Sequence, residues 1–199
     1  MPALLGTPGG TWTAPVGRSA DAGFDFAPPA TEPGPAYGVG LVSRLPVTGW
    51  AARRFGPAPV GMPLMVPGNR GLALIDDEPR VAVAAQVVTR SGPVTVVTAH
   101  LSFVPGWNVA QLRVLARWAR TLPGPRILLG DLNLPGAVPR LTTRWAEPAK
   151  VATYPSWRPR VQLDHVLLDG IPARAVRDVR AQRLGVSDHC ALSAELEGF

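Results

Sequence analysis

The chain has three histidines, and all three sit beside a carboxylate or at the end of an apolar run. Val94-Thr-Val-Val-Thr-Ala-His100 delivers an imidazole at the end of a strand-like segment. Arg126-Ile-Leu-Leu-Gly-Asp131-Leu-Asn133 places a carboxylate and an amide just past another. Val161-Gln-Leu-Asp164-His165 carries an Asp inside an apolar strand, and Gly185-Val-Ser-Asp188-His189-Cys190 presents an Asp-His pair before a last apolar run. Polar groups at the ends of buried strands are costly to desolvate unless they bond one another or a ligand. Carboxylates supply hard oxygen donors for a hard cation, and an Asp beside a His can fix its tautomer for proton transfer. Taken singly, each has an ordinary reading: a packed histidine, a turn residue, an edge charge, a cap. Taken together they describe a site.

The elements that must carry these groups are mostly strands. Gly71 to Ile75, Val81 to Thr89 and Val94 to Leu101 read as strands, the last two joined as a hairpin through Arg90 to Pro93. Arg126 to Gly130, Val161 to Leu168, Ala173 to Arg183 and Cys190 to Leu196 extend the set, and Tyr37 to Pro46 is the first apolar run with order. One helix is expected with Asn108 as its cap, Leu112, Leu115, Trp118 and Leu122 on one face and Pro123-Gly124 as its stop. A short helix is expected within Pro139 to Glu147. Many strands and few helices predict an α+β sandwich. Neighbours on a strand face opposite ways, so His165 and Cys190 fall outside the face that carries Asp164 and His189.

At 199 residues, 46% hydrophobic and 17% charged, the chain fits one globular domain. The single cysteine, Cys190, excludes an intramolecular disulfide and a cysteine-based metal cage. Basic residues outnumber acidic ones by 20 to 14, a net charge of +6 that attracts polyanions. The excess is scattered arginine with Lys150 the sole lysine, which reads as compositional skew rather than a binding patch. No segment reads as membrane-spanning, and the opening residues show no basic-then-apolar leader, which makes the cytoplasm the default expectation.

In order, Gly40-Leu-Val-Ser-Arg44-Leu-Pro46, Thr98-Ala-His100-Leu101, Gln111-Leu-Arg-Val-Leu115, Gly130-Asp131-Leu-Asn133, Leu163-Asp164-His165-Val166 and Ser187-Asp188-His189 resemble the recurring motifs of the endonuclease/exonuclease/phosphatase superfamily, the deoxyribonuclease-I-like fold. The resemblance runs from about Tyr37 to Leu196 and implies a four-layer α/β/β/α sandwich of two packed mixed sheets. It implies hydrolysis of phosphoester bonds with Mg²⁺, or Mn²⁺ in its place. By the same resemblance Asp188 is a metal ligand and His189, oriented by Asp164, is a base or charge-stabilising partner. Asp131 positions or deprotonates the attacking water, while Asn133 and His100 donate to phosphoryl oxygens. The substrate is a phosphoester, nucleic acid or a phospholipid head group among the candidates, acted on by a monomer. Phe103 and Trp107 either line a substrate rim or pack over the helix start.

Superfamily members begin with an Asn-bearing strand, a helix, and a strand ending in Gln-Glu whose glutamate binds the metal; nothing before Tyr37 resembles these. Residues 1–36 are expected to be an irregular remnant, with at most a short strand near Thr11 to Ala14, ahead of a domain over 37–199. Glu32 lies in a Pro-Gly context, and Asp76-Asp77-Glu78 is expected to solvate a turn rather than replace the missing ligand. The alternatives to a full enzyme are a catalytically impaired truncated homologue and a basic nucleic-acid-binding module.

Overall fold

The structure is a computed structural model that describes residues 38–65 and 71–198. The expectations for residues 1–36 therefore lie outside the described residues. Five strands form the main sheet: β1 (Val47–Phe55), β4 (Arg80–Thr89), β5 (Gly92–Ala99), β6 (Arg126–Asp131) and β7 (Asp164–Asp169), in the order β1-β4-β5-β6-β7. The β5–β6 pair is parallel and the other pairs are antiparallel, so the sheet is mixed. β2 (Met62–Met65) and β3 (Leu72–Ile75) make a separate pair, as do β8 (Val176–Gln182) and β9 (Ala191–Leu196).

Alternation along the central strands divides the core in two. Val97, Ala99, Leu128 and Leu167 pack on one face with Leu112, Leu115 and Ala119 of helix α1 (Trp107–Ala119). Val94, Val166 and Leu168 point to the other face, with Ile127 and Leu129 beside them, and meet Leu192, Ala194 and Leu196 of β9. Helix, five-stranded sheet and β8–β9 sheet are thus three successive layers, an α+β architecture. Helix α2 (Val138–Thr143) covers the same side as α1, since Val138 packs on the α1-side core.

Two local expectations are corrected. The run from Gly40 to Pro46 forms no extended strand; the first strand among the described residues starts after Pro46, and Ser43 closes a turn by bonding Leu45. Proline has no N–H to give a ladder, and pairing with β4 begins at Val47↔Val87. Asn108 does not cap α1. The cap is Gly106 at φ 82, a left-handed conformation that glycine adopts without a Cβ clash, and Asn108 is a buried residue inside the first turn.

Candidate active site

Strand direction brings the chemistry-bearing residues to one end of the main sheet. β5 and β6 are parallel, so His100 follows one strand end just where Asp131 closes the other. β7 runs back beside β6, and its first residue, Asp164, is paired directly with Asp131. The fourth member, His189, stands just before β9, in the layer below. Asp131 and Asp164 share a face because cross-strand partners point the same way. That face is the one toward β9.

Each position is held by bonds that the local sequence explains. Gly130 has φ 140, and a Cβ there would stand 2.0 Å from the Ala99 carbonyl oxygen, so only glycine lets β6 close against the end of β5. The Leu101 N–H then donates to the Asp131 carbonyl at 3.0 Å. Asn133 is left-handed at φ 50, which asparagine tolerates better than most residues, and its N–H donates to Asp131 Oδ1 at 2.9 Å. Its side-chain amide donates to the Leu101 carbonyl at 2.9 Å, while its own carbonyl accepts Asn108 Nδ2–H at 2.8 Å. The family resemblance aims the Asn133 amide at substrate; in the structure one of its N–H groups ties the loops after β5 and β6 together. The other half of the site is sewn by the segment after Lys150. Thr153 accepts the Cys190 N–H at 2.8 Å on its carbonyl and the Asp164 N–H at 3.3 Å on its hydroxyl. Ser156 donates its N–H to the Asp188 carbonyl, and its hydroxyl donates to the Ser187 carbonyl at 2.8 Å. This seam fixes His189 against Asp164.

His189 Nδ1 lies 2.7 Å from Asp164 Oδ2, a direct hydrogen bond between neighbouring layers. Its Nε2 stands 3.8 Å from Asp131 Oδ2, and His100 Nε2 stands 3.6 Å from that same oxygen. Those two separations exceed a hydrogen bond, so a third atom is needed to link the rings to the carboxylate. The Tyr154 ring lies 4.9 Å from the His189 ring. All of these groups line one cleft of about 870 Å³.

The electrostatics set the three titrating groups apart. Burial, reinforced by the Asp164 charge, pushes the Asp131 carboxyl up to about 6. The Asp164 hydrogen bond raises His189 above its ordinary value, with the Asp164, Asp131 and Asp188 charges adding to it. Burial lowers His100 to about 4, helped by the Arg80 and His189 charges, so near neutral pH it is an uncharged imidazole.

Asp188 occupies a different place from the other carboxylates. Its side chain is exposed on the rim of the cleft, whereas the ligand atoms that converge, within 4.8 Å of one another, are those of Asp131, Asp164 and His189. Oxygen donors from two aspartates with an imidazole fit a small divalent ion that keeps water and takes substrate oxygens as further ligands. The donor chemistry at the site is therefore suited to a divalent cation.

His165 stays out of this cleft, as strand alternation requires. It is buried on the α1 side, where Nε2–H donates to the Leu134 carbonyl at 2.8 Å and Nδ1 meets the buried Glu147 carboxylate at 2.7 Å. Cys190 is also buried away from the cleft, next to the Ser156 carbonyl.

Four neighbours of the site carried little or no local signal. Arg80 precedes an ordinary apolar strand, Tyr154 and Thr153 lie in an aperiodic stretch, and Ser187 is visible only as the start of the Ser-Asp-His triplet. The acidic turn is also corrected: the Asp77 side chain is buried, accepting the Ala58 N–H at 2.8 Å and facing Arg80, while Asp76 and Glu78 are exposed. Phe103 is on the cleft wall, whereas the Trp107 indole donates to the Gly56 carbonyl at 3.1 Å.

A mixed sheet with helices on one face and a second sheet on the other is an α+β sandwich, here bearing a His-Asp pair and a second carboxylate at its strand ends. The sequence profile of the Endonuclease/Exonuclease/phosphatase family matches residues 3–189, and the chain belongs to that family. No curated protein matches. Among solved structures, a mannosyl-6-phosphatase of Bacteroides thetaiotaomicron superposes with a TM-score of 0.51 at 12% identity, over 76% of this chain and 67% of that one. A protein of unknown function from Enterococcus faecalis gives 0.51 at 17% identity, over 74% and 68%. A 3′ phosphatase from Neisseria, bound to a product DNA hairpin, gives 0.50 at 18% identity, over 78% and 73%. At these identities the likeness is one of fold. No helix among the described residues is long and apolar enough to cross a membrane.

Proposed function

We propose that this protein hydrolyses phosphoester bonds with the aid of a divalent cation, Mg²⁺ or Mn²⁺, at the cleft built by His100, Asp131, Asn133, Asp164, Asp188 and His189. The observation that carries the reading is the 2.7 Å contact between His189 Nδ1 and Asp164 Oδ2, beside Asp131 in the same cleft. With Nδ1–H held by Asp164, the neutral ring presents Nε2 as an acceptor toward the cleft. Asp131, its carboxyl raised to about 6, is ionised at slightly alkaline pH and accepts a hydrogen bond that orients the water. A water oriented between His189 Nε2 and Asp131 Oδ2 gives its proton to Nε2 as its oxygen bonds to phosphorus, and the bond from phosphorus to the ester's leaving oxygen breaks. The neutral His100 ring donates a hydrogen bond to a phosphoryl oxygen, and the remaining N–H of the Asn133 amide is a second donor of the same kind. Asp131 and Asp164, whose ligand atoms converge in the cleft, would hold the cation, with Asp188 on the rim as a further carboxylate, and the cation would supply neutralisation of phosphoryl and leaving-oxygen charge.

The test is turnover of a bis-aryl phosphodiester and an aryl phosphomonoester with Mg²⁺, with Mn²⁺ and with chelator. Hydrolysis of either ester that chelator abolishes, and that His189→Ala removes, is the expected result. Chelator-resistant hydrolysis, or no hydrolysis of any phosphoester offered, overturns the reading.

A further inference from the structure

Arg80 is the first residue of β4, on the strand next to the one that His100 follows, and its side chain is only 4% exposed. A buried guanidinium is expected to have its donors satisfied, because an unpaired buried charge is among the costliest groups in a fold. Arg80 is not satisfied. Nη2 reaches Asp77 Oδ1 at 3.4 Å, a long contact, and the other Asp77 oxygen is taken by the Ala58 N–H at 2.8 Å. Nε and Nη1 have no hydrogen-bond partner. The Phe103 ring lies over the guanidinium at 5.9 Å and lines the same cleft wall.

The setting explains why such a charge would be kept. Among the described residues that line the cleft, Arg80 is the one arginine or lysine, against the carboxylates of Glu78, Asp131, Asp164 and Asp188. A phosphoester anion entering that cleft meets repulsion from every carboxylate that is ionised. A bound cation offsets part of it, and the remaining positive charge available in the wall is Arg80. Its donors are pre-positioned on a strand of the main sheet, and the aromatic cover keeps bulk water from screening an ion pair formed there.

We propose that Arg80 is a substrate-binding residue, the group that receives the non-bridging oxygens of the phosphoester and restricts the site to anionic esters. The proposal rests on the reading of this cleft as a phosphoester site. It assigns Arg80 to binding rather than to proton transfer, so its loss acts on affinity.

The experiment uses the full chain and two variants, Arg80→Met, which keeps the stem without the charge, and Arg80→Lys, which keeps a charge without the fork. Inorganic phosphate is the probe, its binding measured by calorimetry in chelator and its inhibition of bis-aryl ester hydrolysis measured with metal. Arg80→Met is expected to weaken phosphate binding and raise KM by roughly 10–100-fold, with kcat changed by about threefold or less. Arg80→Lys is expected to fall between, at about tenfold, because a point charge replaces a planar donor set. Should Arg80→Met fail to fold, by near-ultraviolet circular dichroism, the lysine variant alone decides. Unchanged phosphate binding and KM in a folded Arg80→Lys overturns the proposal, as does a fall in kcat at constant KM. The calorimetric arm needs no turnover, so a parent chain that hydrolyses nothing yet binds phosphate through Arg80 overturns the hydrolase reading and leaves the anion site standing.

Discussion

His189 and Asp164 lie in different layers of the fold, 25 residues apart, yet meet at 2.7 Å through Nδ1 and Oδ2. Asp164 begins a strand of the main sheet and His189 precedes a strand of the smaller one, so the pair exists only when the two sheets are packed. Neither residue alone can orient the imidazole.

The pair is therefore expected to act as a unit. His189→Ala and Asp164→Ala should each lower turnover by a hundredfold or more, on the order usual for a base and its orienter. The double variant should lose scarcely more than the worse single one. Steady-state kinetics on the four forms measures this. A double loss equal to the product of two large single losses would show that the residues work separately.

Asp131 should make the metal-free protein less stable as pH rises. Its folded value of about 6 lies above the ordinary 3.8, so the folded state holds the extra proton between these limits. The associated stability is fully present below pH 3.8 and is lost as pH climbs through about 6. Two units correspond to roughly 3 kcal/mol. Asp131→Asn, whose side-chain oxygen still accepts the Asn133 N–H, should thus raise Tm by several degrees at pH 7.5 in chelator and leave it unchanged near pH 3.5. Thermal unfolding at the two pH values decides. An asparagine variant that is less stable at pH 7.5 would contradict this electrostatic account.

Metal binding should follow the same proton. A carboxylate must lose its proton to bind a cation, so Mn²⁺ affinity is expected to fall about tenfold per pH unit below about 6. Asp131→Ala should abolish that pH dependence along with most of the affinity. Asp188→Ala, which removes an exposed rim carboxylate, should cost less. Calorimetry across pH measures both, and the reverse ranking would place the cation at the rim.

Gly130→Ala is expected to cost about 3 kcal/mol or more, since the new Cβ would overlap the Ala99 carbonyl at φ 140. Relief requires β6 to draw away from β5, which moves Asp131, so turnover should fall with stability. Denaturant unfolding beside turnover checks it, and a neutral substitution would show that the strand ends are not held by this approach.

The sequence alone determined which groups gather at strand ends and which stand apart. Apolar alternation placed His165 and Cys190 on faces away from Asp164 and His189, and the Gly-Asp-Leu-Asn run marked a carboxylate and an amide just past a strand. These are properties of the backbone at short range, where the period of two and the absence of a Cβ leave a mark in the residue order. Packing decided the rest. That Asn108 clamps the Asn133 carbonyl instead of capping its helix, that the strand starts after Pro46, that the Asp77 side chain is buried, and that Arg80 faces the cleft with two idle donors all depend on contacts between segments that approach only in the folded chain. The convergence of Asp131, Asp164 and His189, with Asp188 left on the rim, is of the same kind. A hydrogen bond across layers has no period, so no local pattern records it; the register of β6 against β7 and the seam from Thr153 to Ser156 are what bring those oxygens and that ring together.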